Sequence, residues 1–220
     1  MDPIASVTGL FHYSFGNWKI QPRSAEDFVD HVVYVEPPEE CTADRCMEDI
    51  IEGDLVITEI MFNPSVGSDA RNEWVEIKNL TDGTVNLKGI TIQDSSGGVE
   101  LTSDAVVEAG EYAVLGTSDG TEWAYEFVAT AFYGSLSFGN GDSGDNAAIS
   151  FGDAVLDSTP NYMAEGAPTD RAGASFMLDG SAETTTGNDD LANWCTAGDS
   201  DAIGTSGDEG TPFAAGACLP

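Results

Sequence analysis

Positive charge is what this sequence has least of. Seven Lys plus Arg face 39 Asp plus Glu in 220 residues, a formal net charge of −32, and only two histidines, His12 and His31, are present. From Gly53 onward there are 28 acidic residues and four basic ones. Such a field repels phosphate, so direct nucleic-acid binding and adhesion to anionic lipid are disfavoured. It favours a well-solvated acidic surface, with cation binding as the sharper alternative. No apolar run approaches the ~18 residues of a membrane span. Met1-Asp2-Pro3 has no basic region, and His12, Tyr13 and Asn17 interrupt the apolar stretch behind it, so the N-terminus does not read as a signal peptide. If the protein is exported, the chain is expected to be a piece of a longer precursor. There are no internal repeats and no long helical period.

Cysteine is scarce but even in number: Cys41, Cys46, Cys195 and Cys218. None forms a Cys-x-x-Cys pair, no histidine lies nearby, and the spacings do not suit zinc. Two disulfides are the expectation. Of three pairings, Cys41–Cys46 with Cys195–Cys218 keeps each bridge within one region. Disulfides imply an oxidising compartment, hence an extracellular or cell-surface location.

Short β-rich runs separated by turn chemistry dominate what is there. In Asn-Glu-Trp-Val-Glu-Ile-Lys-Asn-Leu (72–80), Val75 and Ile77 point one way while Trp74, Glu76 and Lys78 point the other. Asn63-Pro64 stops the preceding run, because proline has no N–H for a ladder. Thr81-Asp82-Gly83-Thr84 makes the next turn. Further strands are expected at 112–116, 125–128, 131–138, 147–151, 154–157 and 174–178, a spacing that fits a sandwich. Ahead of them, Ala43 to Ile51 predicts a short helix and Glu36-Pro37-Pro38-Glu39-Glu40 reads as a linker.

Ile57-Thr58-Glu59-Ile60-Met61-Phe62-Asn63-Pro64, Glu73-Trp74-Val75-Glu76-Ile77-Lys78-Asn79 and Leu87-Lys88-Gly89 with Ile92 and Asp94 resemble the opening of a lamin-tail domain of the bacterial branch. Asn193-Trp194-Cys195 and Gly210-Thr211-Pro212 resemble its ending. The resemblance implies an all-β, immunoglobulin-like β-sandwich over 53–220, preceded by an N-terminal extension, 1–52. Within the extension, Thr8-Gly9-Leu10, Tyr13 to Asn17 and Pro22-Arg23-Ser24 resemble the closing strands of an OB-like domain found with secreted bacterial nucleases. A fold of this kind does not fix a function.

Motifs with chemical meaning are few. Gly116-Thr117-Ser118-Asp119-Gly120 matches a nucleophile elbow, but no helix follows and no histidine is near, so a plain turn is expected. Gly139-Asn140-Gly141-Asp142-Ser143-Gly144 matches a dinucleotide loop, but its acids would repel a pyrophosphate and a strand follows. The same loop offers Asp142, Asp145 and Asn146 as oxygen ligands for calcium. The run Asp199-Ser200-Asp201 with Asp208-Glu209 is a second candidate. Glu59, Glu73 and Glu76 are close enough along adjacent strands for acid–base or metal work, against the plainer reading that they are exposed and paired with Lys78, Lys88 or Arg71. Trp74, Trp123 and Trp194 are expected to pack rather than to platform a sugar. His12 and His31 are expected to be structural. Asn79-Leu80-Thr81 is a glycosylation sequon, unused in a bacterial protein.

No nucleophile, base and orienting group assemble, so no catalytic or cofactor-binding residue is expected, calcium aside. The expected role is a non-catalytic interaction or spacer module of a secreted or surface protein. It would be a monomer, with a protein or cell-surface polymer as partner. The alternatives are an accessory domain of an extracellular nuclease or phosphatase, and calcium-dependent adhesion.

Overall fold

The computed structural model describes residues 6–14, 16–29, 41, 43–141, 145–168 and 171–218. The expected linker at 36–40 and His31 lie outside them. The chain forms two compact units, Met1–Glu40 and Cys41–Pro220. In the first, β1 (Ser6–Val7) pairs with β4 (Phe28–Val29), and β2 (Leu10–Ser14) with β3 (Asn17–Gln21). Gly16, at a φ of 79°, makes the β2–β3 turn that a side chain would resist. Phe11 stacks on Trp18 on the exposed face of that hairpin.

The second unit is a β-sandwich. Its strands are β5 (Leu55–Met61), β6 (Trp74–Asn79), β7 (Val85–Asn86), β8 (Thr91–Gln93), β9 (Gly98–Glu100), β10 (Val106–Val107), β11 (Tyr112–Gly116), β12 (Ala131–Phe132), β13 (Ala148–Phe151), β14 (Ala154–Ser158), β15 (Phe176–Leu178) and β16 (Trp194–Thr196). One helical turn, α1 (Asp69–Asn72), precedes β6. The six-stranded sheet runs β12-β11-β6-β5-β15-β16 and the four-stranded sheet β14-β13-β8-β9; β7 and β10 form a separate pair. Between the sheets lie Leu55, Ile57, Ile60, Val75, Ile77, Ala113, Leu115 and Phe176 from one, and Ile92, Ile149 and Leu156 from the other. At roughly 25 cal/mol per Å² of apolar surface removed from water, this layer is the main stabilising term.

A register shift in β5 between Ile57 and Glu59 sets the geometry of everything outside that core. Before it, Leu55 and Ile57 face inward; after it, Ile60 does, and Glu59 and Met61 turn out beside Glu76 and Trp74. An extra residue in one strand flips the two-residue phase in this way.

Four expectations are corrected. Ala43 to Ile51 is not a helix: only Met47–Asp49 makes a 3-10 turn, and Met47 and Ile50 are buried in the sandwich core. So 41–52, expected with the N-terminal extension, packs with the sandwich, and Arg45 bridges to Val85. Residues 125–128 are loop rather than strand, and the Tyr125 and Phe127 rings pack in the cluster on the outer face of the large sheet. The series of strands expected to end at 174–178 goes on: β16 pairs beyond β15.

Both expected disulfides, Cys41–Cys46 and Cys195–Cys218, are formed. The second ties β16 to the C-terminal segment. A bridge closing a loop of this size is worth about 3 kcal/mol. Cys195→Ser/Cys218→Ser should therefore lose about that much on denaturation, and Cys41→Ser/Cys46→Ser less because its loop is shorter. Reductant, which opens both bridges, should cost more than either variant.

Candidate functional site

The outer face of the six-stranded sheet would ordinarily meet water. Here it is roofed. Met61, Trp74 and Val114 project from β5, β6 and β11 and are covered by Tyr125, with Trp123 and Phe127 beside it, and by Ile203 from the C-terminal segment. Trp74 is fully buried, with Phe127 set edge-on to its ring at 6.1 Å. Tyr125 stacks on Phe127 at 5.2 Å, and Trp123 meets Phe132 edge-on.

Three buried carboxylates tie down the segments around this sheet: Glu59 and Glu76 hold the C-terminal segment beside the roof, and Glu73 holds Ser137 and Phe138. Glu59 accepts from the Thr211 amide at 2.8 Å, from Thr211 Oγ1 at 2.8 Å, and from the Ser175 hydroxyl. Glu76 accepts from Thr58 Oγ1 at 2.7 Å and from the Phe213 amide at 2.5 Å. Glu73 accepts from the Phe138 amide and Ser137 Oγ, both at 2.9 Å. All three are buried, not exposed as expected. The basic residues proposed as their partners are engaged elsewhere: Lys78 with Glu183 and Tyr112, Arg71 with Ser118, Asp119 and Glu122. The physical reason is supply: Thr58 aside, amides and hydroxyls from segments 64 to 152 residues away in sequence arrive at the sheet, and a carboxylate can accept several.

Burial pushes the Glu73 carboxyl up to about 8 against its two donors. Burial also raises Glu59 and Glu76, which face each other across the β5–β6 register, and the negative charge of Glu59 raises Glu76 further. Two further carboxylates are buried: Asp208, part of the second acidic run, and Asp157, which carries no motif in the sequence. Asp208 accepts from Tyr125 Oη at 2.9 Å and from the Ser65 amide and hydroxyl, tying the roof to the loop after β5. Asp157 accepts from the Ile57 amide and Asn188 Nδ2, each at 2.7 Å, and burial raises it to about 7.

On the open edge of the sandwich, β9 and β12 each end their sheet. Between them runs a groove of about 640 Å³, floored by Val99, Ala131 and Tyr133 and rimmed by Glu100, Asp104 and Asp119.

With β5 against β6, the roofed face and the inner core in place, the comparison with known families is specific. Residues 51–159 match the family model described as Lamin Tail Domain. The chain carries a lamin tail domain. No curated protein matches it. The matched span covers β5 to β14; β15, β16 and the roofing C-terminal segment lie beyond it.

Within the lamin tail domain the Gly-x-Ser-x-Gly motif resolves as a turn. Gly116–Gly120 leaves β11 as a bend, with Ser118 in the left-handed region at a φ of 69° and its Oγ accepting from Arg71. Asp142, Ser143 and Gly144 lie outside the described residues. Asp145 is buried, and its oxygens accept from the amides of Ser95, Asn146 and Gly139; burial raises its carboxyl, but these amides outweigh that and hold it below the usual range. Asn146 is only half-buried beside it. The second acidic run is likewise engaged: Asp201 with the Gly198 amide, Glu209 with Arg171, and Asp208 as above. Among the described residues, no three His, Cys, Asp or Glu side chains are grouped to hold a metal ion. Trp194 stacks on Phe176 at 4.4 Å in the core, and its Nε1 donates to the Asn188 carbonyl at 2.7 Å. Of the backbone and side chain of Asn79, in the sequon, the side-chain amide donates to the Gly83, Val107 and Glu108 carbonyls, so that side chain faces inward.

Proposed function

We propose that this lamin tail domain is a non-catalytic interaction module of a secreted or surface-exposed protein, acting as a monomer on a protein or polymer partner. One observation carries the reading. Glu59, Glu73 and Glu76, the carboxylates best placed in sequence for acid–base chemistry, are each occupied by the amides and hydroxyls of the loops they anchor. A general acid or base needs reach to a substrate proton, and these three are buried. The lamin tail domain itself suggests a non-enzymatic interaction role. Two disulfides favour an oxidising compartment, and among the described residues no helix is long and apolar enough to cross a membrane.

The test is an assay of the purified chain against phosphodiester, phosphomonoester, carboxylic ester and glycoside substrates. Background rates equal to those of a heat-denatured sample are expected. Turnover that disappears in Glu73→Gln or Glu76→Gln, with the fold retained, would overturn the reading.

A further inference from the structure

We propose that the groove between β9 and β12 binds an extended peptide segment with alternating apolar and Lys or Arg residues, added as a further strand on the edge of β9. The proposal rests on the reading of the domain as an interaction module and names where it binds and what chemistry it takes.

The backbone supplies the first half of the argument. β9 is the last strand of its sheet, so one side of it has no ladder partner among the described residues. Its phase is fixed by two bonds to the other side: the Leu101 amide donates to the Ile90 carbonyl at 2.8 Å, and the Asp94 amide to the Gly97 carbonyl at 2.9 Å. Hydrogen-bonded and non-bonded pairs alternate in an antiparallel ladder. Gly98 and Glu100 therefore turn their N–H and C=O away from β8, into the groove. An unpaired edge of this kind is a template for an incoming strand.

Side chains supply the second half. Val99 points inward, half-buried against the core, and a Cβ on Gly134 would lie 3.5 Å from its Cγ1, so the segment after β12 comes against β9 there and closes the floor. Ala131 and Tyr133 continue that apolar floor. Glu100 points outward, and Asp104 and Asp119 stand on the rims, all exposed; Arg71 lies 3.8 Å from Asp119 and offsets part of its charge. A strand laid on β9 would place alternate side chains over the floor and over the acids. Apolar residues suit the first set and basic residues the second. The whole-chain charge of −32 steers a cationic segment in the same direction. It also argues against the obvious rival, a second copy of this chain, which would bring Glu100 and Asp104 against themselves.

The probe is the acetylated heptapeptide Val-Lys-Val-Lys-Val-Lys-Val, titrated into the ¹⁵N-labelled full chain. Heptalysine serves as the control for charge alone, and the Val-Glu analogue as the control for edge pairing without charge complementarity. Amide shifts confined to 98–104, 118–119 and 130–134 are expected. Glu100→Pro removes an outward N–H, and should weaken binding by at least about tenfold. Glu100→Gln with Asp104→Asn should weaken it less and flatten its salt dependence. If Glu100→Pro does not fold, N-methylation of the peptide on alternate amides replaces it: one phase should abolish binding and the other should not. No binding, equal binding of heptalysine, shifts elsewhere, indifference to both methylation phases, or self-association through β9 would each overturn the proposal. A partner found on another face would leave the interaction-module reading intact, whereas substrate turnover would sink that reading itself.

Discussion

Trp74→Ala should cost about 3–5 kcal/mol, the range for removing a fully buried large aromatic. Trp74 has no solvent exposure although it sits on the side of the sheet away from the main core. Its neighbours come from three places: Met61 and Val114 on adjoining strands, Tyr125 and Phe127 in the loop after β11, and Ile203 near the C-terminus. Alanine would leave these without a floor, and close-packed interiors recover such a void only in part. The measurement is the urea midpoint with an unchanged slope. Trp123→Ala, at a half-buried position, should cost less. Hydrogen exchange locates the effect: amides at 123–127 and 203–213 should exchange faster in Trp74→Ala while those of β8 and β13 keep their protection relative to global stability. A loss under about 1 kcal/mol, in the range of surface substitutions, would mean that the roof is decorative and that the outer face tolerates water.

The two faces of this sheet also mark what could be read in the sequence and what could not. Val75 and Ile77 against Trp74, Glu76 and Lys78 is a two-residue period, a property of the strand alone, and it is how β6 lies. The cysteine pairing was legible for a similar reason: each bridge spans a short stretch of chain, 5 and 23 residues. What covers the outward set is not local. Thr211 and Phe213 reach Glu59 and Glu76 across more than 130 residues, and no pattern near β5 announces them. The register shift at Thr58 hid a second fact, since strict alternation would have put Ile60 on the wrong face. Tyr125-Glu126-Phe127-Val128 has strand composition but serves as a lid of rings, because β propensity reports fitness for a half-buried surface rather than a ladder. Asp145 suits a cation for the same reason that it serves as an amide acceptor: both uses need oxygens on a turn, and the amides it accepts from, Ser95 and Gly139, come from the fold.

The buried acids give the chain an expected pH profile opposite to that of a protein held by salt bridges. Stability should be greatest near pH 4 to 5 and fall as pH rises to about 8. The folded-state values of Glu73, at about 8, and Asp157, at about 7, lie above those of an unfolded carboxylate, and burial raises Glu59 and Glu76 in the same sense. Between the unfolded and folded values the native state binds more protons than the unfolded chain, so unfolding becomes easier as pH rises through that window. Each pH unit separating the two values is worth roughly 1.4 kcal/mol per group, so one such carboxyl can move stability by several kcal/mol. Carboxyls lowered in the native state, among them Asp145 and Asp179, work the other way, and their contribution is lost as pH falls through their folded values; this sets the acid side of the optimum. Mutual repulsion of the acidic surface also rises with pH, and salt separates the two causes. Sodium chloride screens exposed charges but acts little on buried ones, so a melting series at high salt should keep most of the fall between pH 5 and 8. Glu73→Gln sharpens the test, because its carbonyl oxygen can accept from the Phe138 amide, its NH2 can donate to the Ser137 hydroxyl oxygen, and it carries no charge to bury. That variant should match the parent near pH 5 and exceed it at pH 8. Parallel curves for parent and variant, or a slope that vanishes in salt, would show that the surface and not the buried carboxylates sets the pH response.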